Sequence, residues 1–165
     1  MQQDPPIERK PVTDLTIYGA TSFVARHVIT YLVQASIHLA DPLRITLAGR
    51  NVKKLEAIKE EWSNKMDLLL TASGNEERKG KLGIVRWDVH VADAEDVDGL
   101  RRMAARTRVV IACAGPFAQY GSLVVEACAE MGADYVDITG EKGWVADERA
   151  PHGTKAATTG ARIDS

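Results

Sequence analysis

Apolar and polar positions along this chain switch between two periods, and each switch marks an element. Leu15 to Tyr18 is a short apolar-rich run that stops at Gly19, and from Ser22 to about Ile37 the residues Phe23, Val24, Val28, Ile29, Leu32 and Val33 recur at helical spacing. A second strand is expected over Leu43 to Ala48, followed by a charged helix from Val52 to about Leu69. Leu55, Ile58, Trp62 and Met66 share one face of that helix and belong to the core rather than to a ligand. Thr71 to Gly83, rich in Gly, Lys and Glu, reads as a surface loop. A third strand over Ile84 to Val89 ends near Asp93, and a helix from Ala94 to Arg106 leads to a fourth strand, Arg108 to Cys113. That fourth run is continuously apolar after its first residue, as in strands buried on both faces of a parallel sheet. A helix over Ser122 to Met131, a strand over Asp134 to Thr139 and a helix from Lys142 to about Thr158 complete the pattern.

Strands that alternate with helices in this way must cross over in parallel, and the crossovers are right-handed. The fold class expected is therefore α/β, a doubly wound parallel sheet of the Rossmann type. Its ligand cleft lies along the carboxyl ends of the strands, at the switch between the first and fourth strands.

The first strand–turn–helix carries the candidate chemistry. A glycine turn opening a helix presents unpaired backbone N–H groups and the positive end of the helix dipole, which together favour a pyrophosphate. The stretch Gly19, Ala20, Thr21, Ser22, Phe23 and Val24 is the candidate cradle. It departs from the glycine-rich fingerprint, because Ser22 stands where backbone approaches phosphate and Ala25 where helix meets strand. Both are small, and Ser22 doubles as a helix N-cap and a hydroxyl donor. A strand–turn–helix that binds nothing is the alternative.

The end of the second strand bears on which dinucleotide is expected. An acidic residue there accepts the ribose hydroxyls of NAD, but this chain has Gly49-Arg50-Asn51, with Lys53 and Lys54 one turn on. A guanidinium fork suits a 2′-phosphate, so NADP(H) is expected over NAD(H). Ala114, Gly115 and Pro116 follow the fourth strand and pass close to the ribose or nicotinamide, or form an ordinary turn. Asp93 caps either the adenine side or the next helix, and Asp137 and Glu141 end the fifth strand at the same rim.

Composition narrows the classes further. With 21 basic and 23 acidic side chains in 165 residues the net charge is −2, and aromatics make up 5%. Neither a basic footprint nor a stacking platform for nucleic acid is present. The apolar runs fall far short of the roughly 20 residues that span a bilayer, and the polar start has no signal-peptide pattern, so a cytoplasmic protein without a membrane segment is the default. Cys113 and Cys128 have no metal or redox spacing and are expected to be reduced core thiols, although Cys113 ends a strand at the cleft. His27, His38, His90 and His152 are not spaced for a metal, and no metal site is assigned.

Four segments in order carry a resemblance: Gly19-Ala20-Thr21-Ser22-Phe23; Leu47-Ala48-Gly49-Arg50-Asn51; Arg108 to Phe117 followed by Tyr120-Gly121; and Tyr135 to Glu141. From about Asp14 to Glu141 the chain resembles the N-terminal half of saccharopine dehydrogenase-like oxidoreductases, and of the trans-acting enoyl reductases. The resemblance implies a nicotinamide-cofactor-binding domain in a family whose members continue into a second, mixed α/β domain. Residues 1–13 are expected to be a flexible terminus and 14–165 the binding domain, ending before a sixth strand or a substrate domain. Three uses remain open: the cofactor-binding part of an NADP-dependent reductase, incomplete for catalysis; an NADP(H)-sensing regulator; and a structural module. An uncovered sheet edge after the fifth strand would favour a homodimer.

Overall fold

The computed structural model describes residues 8–78 and 84–165. The strands are β1 (Thr13–Tyr18), β2 (Leu43–Gly49), β3 (Val85–Val91), β4 (Thr107–Ala112), β5 (Asp134–Asp137) and β6 (Ile163–Asp164). The helices are α1 (Phe23–Ser36), α2 (Val52–Ala72), α3 (Val97–Ala105), α4 (Phe117–Tyr120), α5 (Ser122–Met131) and α6 (Lys142–Thr159). The strands form one parallel sheet in the order β3-β2-β1-β4-β5-β6. This is the doubly wound Rossmann-type arrangement, with its switch point between β1 and β4.

Alternation along the strands sends residues to two cores. Ile17, Ile45 and Leu47 face α1 and α2, where Ile29, Val33, Leu55, Trp62 and Leu70 meet them. Tyr18, Val110, Ala112 and Tyr135 face α3 and α5, against Leu100, Met103, Val125 and Cys128. The predicted stripe on α2 is buried as expected and gains Leu70.

Several expectations are corrected. Phe23, read as part of the apolar stripe of α1, is 77% exposed, because it is the first residue of the helix, where no described element covers it. The loop expected from Thr71 begins later, since α2 runs on to Ala72, and residues 79–83 of that loop lie outside the described residues. The loop after β4 contains the unexpected short helix α4. A sixth strand does exist: β6 pairs with β5 through Tyr135↔Ile163 and Val136↔Asp164, so β5 is not the sheet edge that the self-association argument required. Within the N-terminal stretch, residues 1–7 are outside the described residues, but the Arg9 guanidinium donates to the carbonyls of Ala104 and Thr107 at 3.1 and 2.9 Å, and Thr13 already belongs to β1.

Three carboxylates tie elements together from the periphery. Asp14 of β1 accepts from the backbone and guanidinium of Arg44 at 2.8 to 3.2 Å, Glu130 of α5 accepts from Arg101 at 2.7 Å, and Asp134 of β5 accepts from Arg162. In each, hydrogen bonds from the arginine hold the carboxyl below its ordinary pKa. A depressed folded-state pKa contributes stability that is present above the unfolded value and lost as pH falls through the folded one. The urea midpoint is therefore expected to be level near neutrality and to drop below about pH 4, with Asp14→Asn flattening the drop. Equal acid sensitivity in Asp14→Asn would show that this pair contributes nothing to it.

Candidate functional site

The turn after β1 is built around Gly19. Its φ of +74° lies in the left-handed region, and a Cβ placed there would stand 2.6 Å from Ala114 Cβ and 2.7 Å from Ala114 N. Glycine is required both for the backbone conformation and for the approach of the β4 end. The Gly19 and Ala20 N–H groups both donate to the Ala48 carbonyl at 2.9 and 3.1 Å, which welds the turn to β2. Ser22 N–H donates to the Gly19 carbonyl at 2.9 Å, and Ser22 is the N-cap of α1, its Oγ accepting from Ala25 N–H at 3.1 Å. An Oγ that accepts one bond keeps its own proton for another acceptor. The first-turn amides of Phe23 and Val24 have no intrahelical acceptor, and no acidic residue stands in the first turn of α1. Ala25 is fully buried, as the position packing helix on strand requires.

The ends of β2 and β3 form the next part of the rim. Ala92 N–H donates to the Gly49 carbonyl at 3.1 Å, which brings Arg50 and Asp93 to one edge. Arg50 is exposed and ion-paired with no described residue. Lys53 and Lys54 are exposed in the first turn of α2, which holds no acidic residue and is capped by Asn51. The alternative of Asp93 as N-cap is corrected: that role falls to Asp96, which accepts from Gly99 N–H at 2.9 Å, because α3 starts at Val97 rather than Ala94. Asp93 instead accepts from Glu95 N–H at 3.1 Å in a tight turn beside the cleft.

Beyond β4, Cys113 N–H donates to the Tyr18 carbonyl at 2.8 Å. The Cys113 thiol is buried and pushed up to about 11 by that burial, so it is a neutral thiol near pH 7. The loop after it is tied down from the opposite side. Glu141 accepts from Phe117 and Ala118 N–H at 2.9 and 3.0 Å, and Trp144 packs on Phe117 and donates from its ring nitrogen to Ser122 Oγ at 3.1 Å. Asp137 accepts from Tyr135 O–H and Thr139 N–H. Both rim carboxylates are thus engaged in holding loops.

Between these ends opens a cleft of about 560 Å³. Of the residues expected from sequence, Gly19, Thr21, Ser22, Arg50, Asp93, Ala114 and Gly115 line it together. Ala20, Phe23, Val24, Lys53 and Pro116 do not; Ala20 is fully buried beneath the turn, and Pro116 opens α4. Sequence reasoning did not single out Tyr18, Gly49, Ala92, Ala94 and Glu95 as lining residues, while Cys113, expected at the cleft, and Tyr120, from the segment after β4, do line it. The only signal for Tyr18 was its place at the carboxyl end of a strand. Among the described residues no group of three or more His, Cys, Asp or Glu could hold a metal, and no helix is long and apolar enough to cross a membrane.

A parallel sheet with a glycine turn, an open helix start and a cleft at the switch point defines a dinucleotide-binding domain of the dehydrogenase type. The profile of the family described as "Saccharopine dehydrogenase NADP binding domain" matches residues 15–160, and the chain belongs to that family. It is 35% identical over 150 residues, 91% of its length, to a Mycobacterium tuberculosis protein named provisionally as a trans-acting enoyl reductase. It is 33% identical over 158 residues, 96% of its length, to the trans-acting enoyl reductase of the same organism. The chain spans 30% of the first relative and 32% of the second. Among solved structures, apo saccharopine dehydrogenase (L-Glu forming) from Saccharomyces cerevisiae superposes with a TM-score of 0.55 at 18% identity, over 92% of this chain and 26% of that one, a likeness of fold.

Proposed function

We propose that this domain binds NADP(H), in preference to NAD(H), as the cofactor-binding part of a reductase related to the saccharopine dehydrogenases and trans-acting enoyl reductases. The observation that carries the reading is the Gly19 turn, whose left-handed φ and close packing on Ala114 set the start of α1, with Thr21 and Ser22, at the cleft. The residues present fit the group. Amides and the Ser22 hydroxyl at the start of α1 would hold the pyrophosphate, Arg50 with Lys53 and Lys54 the 2′-phosphate, and Asp93 the adenosine side. Ala114 and Gly115, followed by a segment that Glu141 and Trp144 brace at Phe117, would line the nicotinamide ribose. When bound, the nicotinamide supplies the hydride that a reductase transfers; the chain's own residues orient it and keep one face toward a substrate. Relatives about three times as long suggest that substrate contacts come from outside these residues, so cofactor binding without turnover is expected of this chain by itself. A cytoplasmic location remains part of this reading.

Calorimetry tests it. NADPH should bind, NADH more weakly, and Arg50→Ala should lower NADPH affinity roughly 10-fold or more while leaving NADH within about 2-fold, since a charge-assisted bond to phosphate is lost. Equal NADPH and NADH affinities would refute the preference, and no response to millimolar dinucleotide would refute the cofactor reading itself.

A further inference from the structure

Tyr18 ends β1 on the face opposite Ile17, with an alanine beside it on each neighbouring strand: Tyr18↔Ala48 and Tyr18↔Ala112. Small neighbours leave room for the ring, which packs with Ala48, Ala92 and Ala112 and is only 5% exposed. Its hydroxyl makes no hydrogen bond to any described residue, yet the residue lines the cleft. The oxygen is open to the cleft rather than sealed in the core, which leaves its proton available to a group bound there.

The residue also has a defined position along the cleft. Tyr18 pairs with Ala48, two residues before Arg50, and lines the cleft together with Arg50 and Asp93, the residues that follow β2 and β3. Arg50 shares that part of the cleft with two carboxylates, Asp93 and Glu95. A 2′-phosphate dianion entering there gains most from a donor that brings no further negative charge. Burial raises Tyr18 to about 12, which keeps the phenol protonated and a donor throughout the neutral range.

Resting on the cofactor reading above, we propose that the Tyr18 hydroxyl is a specificity determinant that donates a hydrogen bond to the 2′-phosphate of the dinucleotide, acting beside the Arg50 guanidinium. Arg50 supplies charge at the exposed lip and Tyr18 supplies a neutral donor from the buried floor.

Calorimetry on the wild-type chain and Tyr18→Phe, with NADPH, 2′,5′-ADP and ADP-ribose, tests the assignment. Tyr18→Phe should weaken NADPH and 2′,5′-ADP by roughly 10- to 100-fold and leave ADP-ribose within about 2-fold, the span expected for one hydrogen bond to a charged group. An equal loss for all three ligands would move the hydroxyl to the adenine or common ribose and overturn the proposal, as would unchanged binding of all three. Wild-type chain that binds none of them would instead bring down the cofactor reading, and this inference with it. In wild-type protein carrying tyrosine labelled with carbon-13 at Cζ, the Tyr18 resonance should shift on addition of 2′,5′-ADP and not of ADP-ribose. That readout decides the matter should Tyr18→Phe fold poorly.

Discussion

Gly19→Ala is expected to lower the unfolding midpoint by about 10 °C and to abolish measurable dinucleotide binding. Two costs add. A residue with a Cβ held at a φ of +74° carries about 1–2 kcal/mol of left-handed strain. The new methyl would also stand 2.6 to 2.9 Å from Ala114 Cβ, N and Cα. Two of those three atoms are backbone, and they cannot rotate away as a flexible side-chain tip could. Relief requires β1 and the loop after β4 to separate, an overpacking cost of about 1–3 kcal/mol. A loss of about 2–5 kcal/mol corresponds to roughly 10 °C for a domain of this size. Gly74→Ala is the control, because Gly74 has a φ of +71° with nothing within 4 Å of an added Cβ. It should incur the strain alone, about 1–2 kcal/mol. Thermal melts followed by circular dichroism compare the two. If Gly19→Ala melts within a degree or two of Gly74→Ala, the contact with Ala114 is soft and the turn is not rigidly built.

Ser22→Asp separates binding from folding. Aspartate caps a helix as well as serine does, so it can take over acceptance from Ala25 N–H, and a carboxylate at the α1 N-terminus meets the dipole favourably by about 0.3–1 kcal/mol. Stability should hold or rise slightly. A pyrophosphate in the same turn would face a like charge in a half-enclosed cleft. At about 4 Å and an effective dielectric constant near 20 that repulsion is about 4 kcal/mol, so affinity for NADPH, NADH and ADP-ribose alike should fall at least 100-fold. A stable Ser22→Asp variant that still binds ADP-ribose at wild-type strength would place the phosphates somewhere other than this turn.

The legible and illegible parts of the molecule differ in kind. The α2 stripe of Leu55, Ile58, Trp62 and Met66 was readable because a helix facing a sheet must repeat its apolar residues every three to four positions. The same rule misplaced Phe23, since periodicity says which face a residue is on but not whether a neighbour reaches that far along the helix. Asp93 and Asp96 are both good capping residues, and which one caps α3 depends on where the chain leaves β3. Strand β6 is two residues long, below the length at which alternation carries a signal.

The order of periods along the chain determined, without any coordinates, that strands and helices alternate, that the sheet is therefore parallel, and that a ligand cleft lies beyond β1 and β4. Local chemistry also determined that Gly19 turns the chain, that Ser22 caps α1 and that a basic residue stands where an acidic one would mark NAD. Only the tertiary structure decided which groups are spent and which are free. The amides of Gly19 and Ala20 go to the Ala48 carbonyl, Glu141 goes to the amides of Phe117 and Ala118, and the Tyr18 hydroxyl, unpaired among the described residues, is left to the cleft. Hydrogen-bond partners across elements are set by register and by the residue at which each helix starts, and a shift of one turn reassigns them all. Spacing along the chain encodes faces; only packing encodes partners.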